Sequence, residues 1–260
     1  MHALLISLQS EFYKSRKTLA FWASILLPLC LCSLVTAAFY FKSEKILAQL
    51  YSPPVLWMNY IGSILGIMGS LILPFYVIFM AFSVNNIEHK NDTWKSLFAQ
   101  PLNKFSIYAA KYIYAVLLIF ICLFLFFALS LAFGNLLHIL NNGYKFNDYS
   151  PLDFLSRIYT RLFLSSLGIL SVQFIISLIW SDFLKPMGIG FIGLIAGIIA
   201  VTRGWEYACF IPYSHATMVI SARKEGVAGQ IFTQEIYASL IYAAVLFLAG
   251  YFIVIKKSVK

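Results

Sequence analysis

Charge is scarce in this chain. Only 11% of its 260 residues are Asp, Glu, Lys or Arg, against about a quarter in an ordinary soluble domain, which excludes a chain that lives wholly in water. Cysteine is sparser still. Cys30, Cys32 and Cys122 sit inside apolar runs and Cys209 stands alone, so neither a disulfide framework nor zinc-ligand spacing is present. No Gly-x-x-x-x-Gly-Lys sequence occurs, which removes a phosphate-cradling loop. The four histidines, His2, His89, His138 and His215, have no paired-ligand spacing and read as solvated or interfacial side chains.

What is present in excess is hydrophobic sequence, 61% of the chain, with aromatic residues making up 17% of the chain. The expectation is an all-α, polytopic membrane protein forming a single domain over residues 1–260. The net charge of +9 could address nucleic acid, but the basic residues flank apolar runs and form no stripe, so membrane topology is the simpler cause. Lys14, Arg16 and Lys17 precede an apolar stretch too long for a signal-peptide core.

Six spans are expected. The first turns carry Leu4, Leu5, Leu8 and Phe12 on one helical face, with Ser7, Ser10, Glu11 and Lys14 elsewhere, a pattern for a helix lying in the membrane interface. Span one follows over residues 18–41, uncharged and long enough to cross about 30 Å of hydrocarbon. After an outer loop closed by Pro53 and Pro54, span two is expected over about 60–84, with Gly62, Gly66 and Ser70 spaced for close helix contact and Pro74 as a kink. Span three is expected over about 112–134. Outside it, Ser150 to Asp153 fits a capping box leading by a short helix into span four, about 162–181. Gln173 is the one amide deep inside a span so drawn, and a packing hydrogen bond outweighs a substrate contact for it. Span five, about 186–202, carries Gly190, Gly193 and Gly197. Residues 207–222 are too short and too broken by Pro212 to cross, and read as re-entrant or interfacial. Span six covers about 236–255.

Drawn this way, span interiors hold no Asp, Glu, Lys, Arg or His, which lowers both an ion-driven carrier and an intramembrane hydrolase. Attention falls instead on residues 85–111. Trp94, Leu97 and Phe98 recur at helical spacing among the charges of Glu88, Lys90, Asp92 and Lys95, Asn91 or Asp92 can cap the start, Pro101 ends the helix, and Asn103 can cap the next one. The pattern alone fits two things: a helix on which a soluble partner presses, or one that rests on lipid headgroups.

The run Glu88-His89-Lys90, Thr93-Trp94-Lys95, then Pro101, Lys104, Ile107 and Lys111, resembles the loop between spans two and three of ABC-2 type transporter permeases, nearest to the bacitracin-resistance and lantibiotic-immunity group. The resemblance implies a connecting helix at the N-terminus, a cytoplasmic coupling helix at Glu88, Lys90, Asp92, Trp94, Lys95, Leu97 and Phe98, and two permease subunits, identical or homologous, with the pathway along spans two and five. It further implies a separate ATPase subunit that holds ATP and Mg, with no cofactor and no catalysis in this chain. Six spans put both termini on one side; with eleven of the nineteen basic residues, that side is expected to be cytoplasmic and the location the inner or plasma membrane. Export of an amphiphilic substrate such as an antimicrobial peptide is the expectation, the alternatives being a secondary transporter or a non-transporting scaffold or sensor subunit.

Overall fold

Thr18 opens the first long helix because its hydroxyl accepts from the Phe21 N–H, one of the donors a helix start leaves unpaired. That helix, Leu19–Phe41, is span one. A computed structural model describes residues 2–91, 93, 103–221 and 230–257, and among them every regular element is helical. Among the described residues, six helices are long and apolar enough to cross a membrane.

Span two begins at Pro53, seven residues earlier than the hydropathy pattern suggests, because Pro53 and Pro54 occupy the first helical positions where no N–H is required. It runs as Pro53–Ile67, a widened turn at Met68–Ile72, and Leu73–Lys90. The widened turn falls where Pro74 withholds the N–H that would bond the Ser70 carbonyl; an added residue per turn is a common way for a helix to absorb such a fault. The expected kink is therefore a π-type turn just ahead of the proline.

Asn103 caps span three, its side chain accepting from the Phe105 N–H at 2.9 Å. The helix then continues from Lys104–Leu140, which at 1.5 Å per residue is about 55 Å, well beyond the hydrocarbon thickness. Beyond it the chain folds back over the start of span two. Phe146 stacks on Trp57 at 4.3 Å and its carbonyl accepts from the Trp57 indole, while Gly134 leaves the room that the Trp57 ring fills. Span four is one helix, Leu152–Ile179, with Pro151 at the cap position and no side-chain cap bond. The separate short helix and the Ser150 capping box are thus corrected: the lead-in and the span are continuous.

Span five is Leu184–Thr202 and span six Gln234–Lys257. Between them lie two single turns, Glu206–Phe210 and Pro212–Ser214, and a short helix, His215–Ser221. This segment packs into the bundle against spans four, five and six and the widened turn of span two. Span four is the hub, contacting spans two, three and six most extensively, while span one lies along span three. The N-terminal helix, His2–Ser15, lies against span three.

Candidate functional site

The N-terminal helix reverses the usual rule of amphipathicity. Ser7, Glu11 and Ser15, four residues apart, are buried against the protein, while Leu5, Ile6 and Phe12 face outward. The polar side can turn inward because charge awaits it there. Lys111 of span three donates to Glu11 Oε2 at 2.8 Å, to Glu88 Oε2 at 2.5 Å and to the Val84 carbonyl at 3.3 Å, an acceptor for each of its three N–H bonds. Lys14 closes the group, reaching Glu88 Oε1 at 3.2 Å and Glu11 Oε1 at 3.3 Å. Burial pulls the Lys14 ammonium toward losing its proton, but the two carboxylates outweigh that and hold its pKa above the ordinary lysine value. Two cations and two anions make a neutral cluster, the condition under which buried charges are tolerated.

Glu88 was expected to face a soluble partner. It does not: its side chain is 1% exposed, because an inward carboxylate here gains two ammonium partners. Lys90, two residues on, is exposed. Asp92, Trp94, Lys95, Leu97 and Phe98 lie outside the described residues. The end of span two is also tied to span four, since Asn85 donates to Ser177 Oγ at 2.8 Å and to the Phe174 carbonyl at 3.2 Å, and His89 Nε2 lies 3.1 Å from the Ser177 carbonyl. With the helix extended to Lys90, Asn85 joins Gln173 as a second buried amide. Span three is tied to span four as well, the Tyr112 hydroxyl lying 2.6 Å from Ser171 Oγ, so both helices that flank residues 92–102 are bound, through side chains, to the N-terminal helix and to span four.

The two glycine rows have opposite surroundings. A Cβ on Gly62 or Gly66 would meet nothing within 4 Å; with Ser70, whose hydroxyl donates to the Gly66 carbonyl, they face away from the rest of the chain. On span five, a Cβ on Gly190 would strike Gln173 and Ile78, one on Gly193 would strike the Tyr213 ring at 2.7 Å, and one on Gly197 would lie 2.8 Å from the Ser214 backbone nitrogen. Span five thus uses Gly193 and Gly197 to admit the segment that precedes span six, and Gly190 to approach spans two and four. Gln173 completes the contact at 2.7 Å from the Tyr213 hydroxyl. With its amide oxygen toward Tyr213, its nitrogen also donates to the Pro186 carbonyl at 3.3 Å. Beside these helices, Leu19, Leu26, Cys30, Leu71, Phe75 and Phe191 are among the residues lining a wholly apolar groove of about 660 Å³ between spans one, two and five.

A family model described as ABC-2 family transporter protein matches residues 7–197, which is most of the chain and takes in the ion cluster, the residues on either side of 92–102 and both glycine rows. The chain belongs to the ABC-2 transporter family. No curated protein and no solved structure matches it. As an ABC-2 family membrane protein with six apolar helices, it is a multi-pass permease subunit of a kind that works with an ATPase subunit.

A second buried ion pair lies at the other ends of the spans. Arg161 donates to Glu235 Oε1 at 3.1 Å, and Thr233 donates to the same oxygen. His215 is fully buried nearby, Nε2 at 2.8 Å from the Cys209 carbonyl, so it is not the solvated or interfacial residue expected. Of the few charges in this permease, Glu11, Lys14, Glu88, Lys111, Arg161 and Glu235 are paired inside the fold. Among the described residues no group of three or more His, Cys, Asp or Glu could hold a metal ion.

Proposed function

We propose that this ABC-2 permease exports an amphiphilic molecule, an antimicrobial peptide being the class that fits the resemblance to immunity and resistance permeases, in a complex of two permease subunits and two ATPase subunits. The observation that carries the proposal is the Glu11–Lys14–Glu88–Lys111 cluster. It binds the N-terminal helix to the two helices that bracket residues 92–102, so a push on the segment containing Trp94, Lys95, Leu97 and Phe98 would move three helices together. Lys90 is exposed where a partner would approach.

The pathway runs between two copies along spans two and five. The outward row of Gly62, Gly66 and Ser70 suits close approach by a second helix, and the apolar groove beside it suits the lipid-soluble part of an amphiphile. Both termini are on the cytoplasmic side with the ATPase.

The test is co-expression of the permease with a candidate ATPase. Trp94→Ala is expected to lower ATPase recovery about thirtyfold in affinity, as loss of an aromatic anchor typically does, and to lower transport with it, while the permease elutes as a folded species. Unchanged recovery and transport would remove this segment from the mechanism. In intact cells, Lys90→Cys is expected to resist an impermeant thiol reagent to which Asn142→Cys responds; the reverse pattern would invert the topology.

A further inference from the structure

The outward face of the N-terminal helix leads to a site that the transport reading does not use. Between that helix, the start of span one and span three is a groove of about 410 Å³, comparable to the volume of one fatty acyl chain. Leu8, Phe12, Phe21, Leu117, Leu118 and Ile121 supply its apolar wall. Its polar lining is Gln9, Tyr13 and Tyr114, and the Tyr114 hydroxyl is buried with no hydrogen-bond partner among the described residues.

The charge at this groove has one sign. Arg16 places its guanidinium 5.1 Å over the ring of Tyr13, a lining residue, and Lys17 follows it; both are exposed, and neither forms an ion pair among the described residues. The nearby carboxylates, Glu11 and Glu88, are committed to Lys111 and Lys14. An apolar slot with the Arg16 guanidinium over one of its lining rings and Lys17 next in the chain complements a molecule with a hydrocarbon tail and an anionic head.

We propose that this groove binds an anionic phospholipid, one acyl chain lying between the N-terminal helix and span three and the phosphate held by Arg16 and Lys17. The inference does not depend on the ATPase, the substrate or the direction in which the chain crosses the membrane. Its occupant would seal the outward apolar face of the helix and hold that helix against span three, next to the ion cluster.

Native mass spectrometry of the purified full-length protein in neutral detergent tests the proposal, with phosphatidylglycerol and phosphatidylcholine of the same chain length as probes. Retention of phosphatidylglycerol is expected to exceed that of phosphatidylcholine by about tenfold, since each basic residue at a lipid surface contributes roughly fivefold and some of that is lost to screening. In Arg16→Gln/Lys17→Gln, which removes no buried contact described above, the ratio should fall to about one. Leu117→Trp, which fills the groove and leaves both cations in place, should lower phosphatidylglycerol retention by a similar factor. Equal retention of the two lipids by the unaltered protein, a ratio unmoved by the charge variant, or wild-type retention in Leu117→Trp would each overturn the site. Competition by water-soluble glycerol phosphate would also overturn it, showing that the cations bind phosphate without the groove.

Discussion

Lys111 and Glu11 meet at 2.8 Å although 100 residues of chain separate them. The contact fastens the N-terminal helix to span three at a point where Glu88 already joins span three to span two. Removing the shared cation should therefore be far worse than removing the cluster's charge in balance. Lys111→Met leaves two buried carboxylates with only Lys14, and is expected to destabilise the permease by about 3–5 kcal/mol. Lys111→Met/Glu88→Gln retains one carboxylate and one ammonium and should recover more than half of the lost thermal stability in detergent. If the cluster also transmits motion, transport by the double variant stays low even after stability returns. A double variant as unstable as the single one would show that the geometry, and not the charge balance, holds these helices.

The two glycine rows should respond in opposite ways to the same change. Gly197→Leu drives a side chain into the backbone at Ser214, which cannot swing aside as a side-chain tip can, so loss of the folded protomer is expected. Gly193→Leu meets the Tyr213 ring and should cost about 1–3 kcal/mol, the usual range for overpacking. Gly66→Leu meets nothing within the chain and should leave the protomer's melting temperature unchanged while weakening self-association in size-exclusion chromatography. A Gly66→Leu protein that associates as the wild type does would place this row against lipid.

The features legible in the sequence were those with a local signature. Six apolar runs and the capping residue Asn103 announce themselves within a few residues, and span three starts where that cap stands; the Thr18 cap of span one appears only in the structure. The ion cluster had no such signature. Glu11 looks like the polar side of an interfacial helix, Glu88 like the charge of an exposed loop and Lys111 like a flanking basic residue; only their meeting across the fold makes them a unit. Lipid also removes the rule by which an apolar helix face points inward, so Leu5 and Phe12 are found outside and Ser7 and Glu11 inside. Spacing alone likewise could not distinguish Gly66 from Gly193, because small residues permit a close contact without stating with which helix.

Gln173 and Tyr213 allow a direct measurement of what one polar contact contributes between span four and the segment before span six. Gln173→Leu and Tyr213→Phe should each destabilise by about 1 kcal/mol, and the double variant by less than the sum, with a coupling of about 0.6 kcal/mol as is usual for hydrogen bonds between membrane helices. The measurement is chemical unfolding in mixed micelles. Strict additivity would mean that the 2.7 Å approach contributes nothing of its own.

His215 gives the fold a predicted response to mild acid. Burial lowers its pKa below the ordinary 6.5, and the Cys209 carbonyl and the Glu235 carboxylate raise it only part of the way back. The neutral ring is therefore the form that the folded state accommodates. Because the folded pKa is the lower one, the stabilising difference is present in full above about pH 6.5 and is lost as the pH falls through the folded value. Thermal stability of the wild type should accordingly decline between pH 7 and pH 5. His215→Gln keeps an N–H donor for the Cys209 carbonyl but cannot take up a proton, so its melting temperature should be lower than that of the wild type at pH 7 and flatter across this range. Parallel curves for the two proteins would assign the acid response to other groups.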